Sequence, residues 1–410
     1  MAQDFTVDRN SPKWVLGADG YLKEYANDEA AIEFNADGSY KGVLVEPQSI
    51  NLCLQSEDIN TTWTPSNATP TQSTETTPDG DSTNKYIKLV DDGNGGSSIV
   101  SVQQTITGLT AGGIYTASIF AKADTLDYIF MFMQDIDGAT DATRYFDLVN
   151  GTSSGGGSYI SFDIKEYPNG WYRCSITFQM GASDTVMDFR IYLAEGVGDI
   201  SIPRDGTNSV YLWGAQLEES PIATSYIPTT TGAVTRLKDD IYLTSASSLI
   251  GQTEGTLFVE VDWNEIAGGS QYVFQLTDGT TDNRIHLHKF NTPSDLLYFF
   301  IESGNVAQMS QGVSSTSFTG IQKIAFAYKQ NDCKGYINGS EVVSDTSVDL
   351  SSLSLTELYF GQNLSALVQG NMWIRAVALF TTRLSDAEAY SLTGYDTYAQ
   401  MANALQYTIL

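Results

Sequence analysis

Short stretches of alternating apolar and polar residues, each closed by a Gly-, Asp- or Asn-rich turn, recur along most of this 410-residue chain. That rhythm limits the possible folds more than any other feature. A period of two puts successive side chains on opposite faces, so each stretch buries one side and must find partners for its backbone. Such stretches include Lys85-Tyr86-Ile87-Lys88-Leu89, Ile99 to Ile106, Tyr115 to Lys122, Tyr128 to Met133, Tyr172 to Phe178, Asp188 to Leu193 and Val210 to Trp213. Turn chemistry separates them at Asp91-Asp92-Gly93-Asn94-Gly95-Gly96, Asp137-Gly138, Gly155-Gly156-Gly157 and Asp205-Gly206. Roughly eight strands within residues 49–228 predict a two-sheet jelly roll.

A second strand-rich block follows at 241–394. It opens with Gly255 to Trp263 and continues through Tyr272 to Leu276, Arg284 to Lys289, Leu297 to Ile301, Gln322 to Tyr328, Lys334 to Gly339 and Leu358 to Gly361. Its one helix is announced by Ser385-Asp386-Ala387-Glu388, a capping box with the acid three residues after the serine. Residues 229–240, which follow Ile227-Pro228, read as a linker, and 395–410 as a tail. Residues 1–48 hold only short extended pieces around turns at Ala18-Asp19-Gly20 and Ala36-Asp37-Gly38. That segment is too small for its own core and must lean on the next domain or a neighbouring subunit. The predicted class is all-β: two consecutive antiparallel β-sandwiches (jelly rolls) after a small N-terminal docking module.

The charge balance excludes several functions. With 21 basic and 49 acidic residues the formal net charge is −28, a surface that repels nucleic acid and anionic lipid. No stretch approaches the length of a membrane span, so no membrane insertion is expected. The opening residues lack the pattern of an export signal, so synthesis and folding in a cytoplasm are expected. Cys53, Cys174 and Cys333 are far apart and odd in number, which suits buried small hydrophobes better than a disulfide framework or metal site.

Several residues invite a chemical reading. Glu260-Val261-Asp262-Trp263-Asn264-Glu265 resembles the acidic strand of laminarinase-like glucanases, and retaining hydrolysis needs two carboxyl groups about 5 Å apart. On a strand Glu260 and Asp262 share a face, while Glu265 joins them only across a bulge. The motif lies on the first strand of its block, without a flanking aromatic cleft, so exposed strand carboxylates are expected instead. His286 and His288 share a strand face, but no third zinc ligand is spaced near them; cross-strand packing is expected. Asp91-Asp92-Gly93-Asn94 and Asp135-Ile136-Asp137-Gly138 offer hard oxygens without completing a calcium loop. Trp63, Trp171, Trp213, Trp263 and Trp373 are read as core or interface residues. No catalytic, cofactor-binding or metal-binding residue is assigned, no cofactor is expected, and the chain is not read as an enzyme.

Three sets of residues carry a resemblance. Asp4-Phe5-Thr6-Val7-Asp8-Arg9, Gly20 to Glu24, Gly42 to Leu52, Gln55 to Trp63, Asn169 to Arg173, Val210 to Glu218 and Thr224 to Thr229 resemble a recurrent module of bacteriophage virion structural proteins of the fibre and decoration type. The jelly roll resembles a carbohydrate-binding module at the level of fold. Gly255 to Trp263, Gly335 to Gly339, Gly370 to Phe380 and Arg383 to Glu388 resemble a laminin-G or concanavalin-A-like domain. The resemblance implies a virion-surface subunit, made in the bacterial host cytoplasm. Its implied partners are other capsid or tail proteins, its own copies in a homo-oligomer (a trimer foremost), and a host-surface glycan or protein. A polysaccharide depolymerase and a standalone lectin are the alternatives.

Overall fold

The computed structural model describes residues 5–135, 141–263, 270–290, 296–314, 320–365, 370–395 and 400. Alternation produces two antiparallel sandwiches. In the first, one six-stranded sheet runs Thr152–Gly157, Ala142–Asp147, Tyr128–Asp135, Val186–Ala194, Ser101–Thr107, Thr64–Ser66. It faces a second sheet ordered Ser161–Tyr167, Trp171–Gln179, Ile114–Ala123, Ser209–Glu218, Lys85–Asp91, Ala68–Ser73. Their inner rows, among them Val102, Ile119, Met131, Phe146, Ile176, Ile191 and Leu212, make one core with Trp63 and Cys174. Each such side chain contributes about 1.5–3 kcal/mol of hydrophobic stabilisation.

Gly155-Gly156-Gly157, read above as a turn, belongs to the edge strand Thr152–Gly157. The strand is bulged there against Ala142–Asp147. Gly155 and Gly156 have φ of +63° and +81°, and a Cβ on Gly156 would lie 1.9 Å from the Thr143 carbonyl oxygen. Glycine is therefore used for a bulge with close backbone approach, which sequence alone does not separate from a hairpin turn.

The second sandwich has two seven-stranded sheets. One is ordered Ser340–Asp345, Cys333–Ile337, Gly320–Lys329, Glu254–Trp263, Met372–Phe380, Tyr40–Val45, Ile32–Phe34. The other is ordered Thr6–Asp8, Asp240–Leu243, Glu357–Phe360, Ser270–Thr277, Arg284–Phe290, Leu296–Glu302, Ala307–Ser314. The opening segment, expected to stand apart from this block, supplies edge strands to both sheets. Thr6–Asp8 pairs with Asp240–Leu243, and Tyr40–Val45 pairs with the start of Met372–Phe380. The predicted helix, Asp386–Gly394, has its capping box formed between Ser385 and Glu388. It covers Phe258, Ala325, Ala327 and Tyr336 on the outer face of the first of these sheets.

Between its edge strands the opening segment forms the hairpin Lys13–Leu16/Leu22–Tyr25, which packs on the outer face of the jelly roll. There Leu16 and Leu22 meet Phe120, Tyr167, Trp171, Trp213 and Tyr226, while Val15 and Tyr25 reach Leu44 and Trp373 of the second sandwich. The expected linker is also fixed. Val234–Arg236 pairs with Ser49–Asn51, and Arg236 and Asp239 are buried. Arg9 and Lys13 bond to Asp239 at 2.8 and 2.6 Å, and Lys13 reaches Glu46 at 3.0 Å. Arg236 lies 3.7 Å from Glu46 and donates to the Pro47 carbonyl at 2.7 Å. Burial alone would raise the Glu46 carboxyl, but Lys13, Arg236 and the bond from the Ser225 amide outweigh it and hold the group at about 2. Hairpin, junction and expected linker are thus tied into one buried charged knot.

A second tie crosses between the sandwiches. Glu33 accepts from Lys165 of the jelly roll at 2.8 Å and from the Trp373 indole at 2.8 Å. The Lys41 ammonium sits 3.4 Å from the centre of the Trp373 ring. Burial is the largest influence on Lys41 and lowers it, as does the neighbouring Lys165, to about 8.

Candidate functional site

The covered faces are accounted for by the hairpin, the edge strands and the helix. The outer face of the sheet containing Arg284–Phe290 carries a different population. Ile285 and Leu287 point into the core, as do Leu276, Phe299, Ile301, Leu358 and Phe360. Alternation therefore sends His286, His288, Gln275, Tyr298, Phe300 and Tyr359 outward. The strand registers line them up across the sheet. Tyr242 lies opposite Tyr359, Tyr359 opposite Gln275, Gln275 opposite His286, His286 opposite Phe300 and Phe300 opposite Ser310. A parallel row contains Tyr272, His288, Tyr298 and Gly312.

The rings form a continuous surface. His286 stacks on Phe300 with centroids 4.5 Å apart and planes 10° apart, and His288 stacks on Tyr298 at 5.1 Å and 9°. Tyr272 touches both imidazoles, at 5.0 and 5.2 Å, and Tyr242 meets Tyr359 at 5.9 Å. Gly312 leaves space for the Tyr298 ring, which a Cβ there would meet at 3.1 Å. The five tyrosine and phenylalanine rings are half-buried, each keeping part of its surface in solvent.

Gln275 is 1% exposed and His286 3%, yet both amide atoms of Gln275 and the Nδ1 atoms of His286 and His288 have no hydrogen-bond partner among the described residues. Unsatisfied buried polar atoms are costly and rare in native folds. Burial, with the like positive charge of Arg284, lowers His288 to about 4; His286 is lowered well below its ordinary value by burial, His288 and Arg284. Both imidazoles are neutral near pH 7, so each offers one donor and one acceptor. A third row, Glu357, Thr277, Arg284 and Glu302, bounds the rings. Arg284 there donates from Nε and Nη2 to Glu302 at 2.7 and 2.6 Å. Flat rings beside amide and imidazole groups can stack on the CH faces of sugars and hydrogen-bond their hydroxyls.

The sequence-derived candidates lie elsewhere, apart from the two histidines. Glu260 and Asp262 do share a face, opposite to Val259, Val261 and Trp263 of the core. They are not exposed carboxylates, however. Glu260 is 8% exposed and accepts from Arg375 Nε at 2.7 Å, while Arg375 also donates to the Tyr40 and Lys41 carbonyls. Asp262 is opposite Trp373, beside Lys41, and is raised by burial against the pull of Lys41 and Arg375. Glu265 and Asp137 lie outside the described residues.

Asp91 accepts from the Gly93, Gly206 and Asn208 amides, and Asp92 pairs with Arg204, so these carboxylates hold turns together. Glu218, at the end of the jelly roll's last long strand, has its oxygens occupied by Ser49 and Thr224. No group of three metal-ligating side chains occurs among the described residues. Trp171, Trp213 and Trp373 are buried, but beneath the opening segment and not between sheets. On the jelly roll's outer sheet, Phe130, Tyr145 and Tyr192 pack on one another with Ile200, and Arg190 is paired with Asp188. That cluster shows no unpartnered amide or imidazole.

Sequence reasoning placed His286 and His288 together but missed Tyr242, Tyr272, Gln275, Tyr298, Phe300 and Tyr359. The signal was present in the alternation of Leu297-Tyr298-Phe299-Phe300-Ile301. Apolar residues occupy both phases there, so the outward phase could not be told from the inward one until the register was known.

Together these features define a tandem antiparallel β-sandwich protein with an aromatic outer face on one sheet of its second sandwich. No protein-family model matches the chain, and no curated protein matches its sequence. Among solved structures, the Ruminococcus gnavus IT-sialidase CBM40 is similar over 37% of this chain and 88% of that one, with 14% identity and a TM-score of 0.31. The NanB sialidase from Streptococcus pneumoniae is similar over 37% of this chain but only 26% of its own length, with 14% identity and a TM-score of 0.31. The SAP-like pentraxin from Limulus polyphemus is similar over 36% of this chain and 72% of that one, with 10% identity and a TM-score of 0.30. Similarity of this extent assigns neither a family nor a ligand to the chain.

Proposed function

We propose that this chain is a non-catalytic glycan-binding display subunit of a bacteriophage particle. The observation that carries the binding half of this reading is the open face of Tyr242, Tyr359, Gln275, His286 and Phe300, flanked by Tyr272, His288 and Tyr298. The rings stack on one another, and among the described residues the buried amide atoms of Gln275 and the imidazole Nδ1 atoms have no partner. The virion half rests on the sequence resemblance of the opening and junction segments, and a net charge of −28 suits close display on a particle surface. A homotrimer on the capsid or tail, with this face turned to a host-surface glycan, is the assembly proposed. The paired and covered Glu260 supports a binding role over a depolymerase role.

Two measurements test it. The full chain is screened on immobilised bacterial and plant polysaccharides, with Tyr272→Ala and Tyr298→Ala as controls. Binding that falls about tenfold in each variant, as loss of one ring stack predicts, supports the reading; binding indifferent to both refutes the site. Separately, the chain should co-sediment with intact particles from a lysate of the producing host, and its absence from them would remove the virion assignment.

A further inference from the structure

We infer that the open face selects a neutral oligosaccharide, bound across the strands, and excludes acidic sugars. This rests on the glycan-binding reading of the same face and adds to it the charge and the length of the ligand.

Charge is decided by what stands around the rings. In the two ring rows every outward side chain is aromatic, amide, hydroxyl or imidazole. The bounding row contributes one cation, Arg284, against two carboxylates, Glu302 and Glu357. Both Arg284 bonds go to Glu302, and Glu357 accepts from the Tyr359 hydroxyl at 2.8 Å. Lys289, on the same strand as the histidines, alternates to the other side and lies 5.8 Å from the Trp263 ring. Burial favours the neutral form of both imidazoles, lowering His286 well below its ordinary value and His288 to about 4. A uronate or sialate carboxylate would meet one cation beside these rows, Arg284, 5.4 Å from the Phe300 ring, with its Nε and Nη2 engaged by Glu302 and with Glu357 in the same bounding row. It would also have to approach a chain of net charge −28. Carboxylate recognition normally relies on an available, bidentate arginine; here the Nε–Nη2 edge of that arginine is engaged by Glu302, and a ligand carboxylate would have to compete with it.

Length follows from the register. From Tyr242 to Phe300 the first row crosses five neighbouring strands, about 19 Å at the usual strand spacing. That is the span of several linked pyranose rings and more than a single sugar can cover. Gln275 and His286 stand mid-row, where their unpartnered atoms meet hydroxyls of the inner sugars and not of a chain end.

The experiment is calorimetric titration of the full chain with neutral tetrasaccharides (cellotetraose, mannotetraose, tetra-N-acetylchitotetraose and lacto-N-tetraose), their disaccharides, and two acidic probes, tetragalacturonate and sialyllactose. At least one neutral tetrasaccharide should bind about tenfold or more tighter than its disaccharide and than either acidic probe. Tyr272→Ala should abolish that margin. Tyr242→Ala, at the half-exposed end of the row, serves if Tyr272→Ala does not fold. An acidic probe that binds as tightly as the neutral ones, and is lost in the tyrosine variants, overturns the inference while leaving the glycan-binding reading intact. Equal affinity for disaccharide and tetrasaccharide overturns the length. If no probe binds in a tyrosine-dependent way, both the inference and the reading beneath it fall.

Discussion

Replacing Asp239 by alanine should unfasten the whole molecule, although Asp239 lies in a segment that reads as a linker. Its carboxylate receives Arg9 at 2.8 Å, Lys13 at 2.6 Å and the Glu46 amide at 2.9 Å, all buried. Without it, Arg9 loses its buried acid partner and Lys13 keeps only Glu46, which also faces Arg236. Removing one partner of a buried ion pair costs about 3–5 kcal/mol, because the remaining charge stays desolvated. Glu46 gives an independent scale. Its displacement from 4.5 to about 2 corresponds to about 3 kcal/mol of net interaction with Lys13 (which it shares with Asp239), Arg236 and the Ser225 hydrogen bonds. At about 2–4 °C per kcal/mol for domains of this size, the Tm should fall by about 10 °C. Differential scanning calorimetry of the full chain measures this, and tryptic cleavage within 229–240 should accelerate alongside. A Tm within about 2 °C of wild type, with unchanged cleavage, would show that the knot is solvated and the reasoning wrong.

Four further outcomes are expected. Stability should decline as pH falls, in two stages. His288, whose folded value is lowered from 6.5 to about 4, binds its proton preferentially in the unfolded chain, so loss begins below about pH 6.5; Glu46, lowered from 4.5 to about 2, stabilises fully above 4.5 and ceases to do so as pH drops through 2, which urea midpoints along an acid series will show. Glu260→Gln should weaken its bond to Arg375 and cost about 1–2 kcal/mol in denaturant titration without changing glycan retention, and the wild-type chain should release no reducing ends from any polysaccharide it retains. Burial raises Cys53 and Cys174 far above the ordinary thiol value and Cys333 to about 11, so Ellman's reagent should find no fast-reacting thiol in native protein and all three in guanidinium. Gly156→Ala should cost about 2 kcal/mol or more in denaturant titration, because its φ of +81° and the Thr143 oxygen leave no place for a methyl group.

The all-β class and the two sandwiches were legible because alternation is a local signal, and each strand's inner phase is written in its own residues. Ser385 and Glu388 fixed the helix start for the same reason: the capping box lies within four residues. What could not be read was pairing at long sequence distance. Thr6–Asp8 is too short to display a period, and its partner Asp240–Leu243 lies more than 200 residues away, so the opening segment looked separate when it is an edge of the second sandwich. Arg236 and Asp239 looked like linker residues because charged side chains are normally solvated. Only the arrival of Arg9, Lys13 and Glu46 makes their burial tolerable.

The candidate site was hidden by the same limit. Each strand of the open sheet contributes only one or two of its residues: Tyr242 from one, Tyr359 from another, Gln275 with Tyr272, His286 with His288, Phe300 with Tyr298. Within a strand such a pair is an ordinary outward phase, and a tyrosine or histidine there packs as readily as it binds. Register converts five ordinary pieces into a row of rings about 19 Å long. Burial then leaves Gln275 and His286 with polar atoms unmatched by the described residues. Buried charges elsewhere are matched, as Glu33 is by Lys165 and Trp373 and Asp239 by Arg9 and Lys13, whereas the amides of Gln271 and Asn371 are likewise unmatched among the described residues. What distinguishes the site is that its unmatched polar atoms lie amid stacked rings on the outer face of one sheet. A ligand with both CH faces and hydroxyls would satisfy the rings and the polar atoms together.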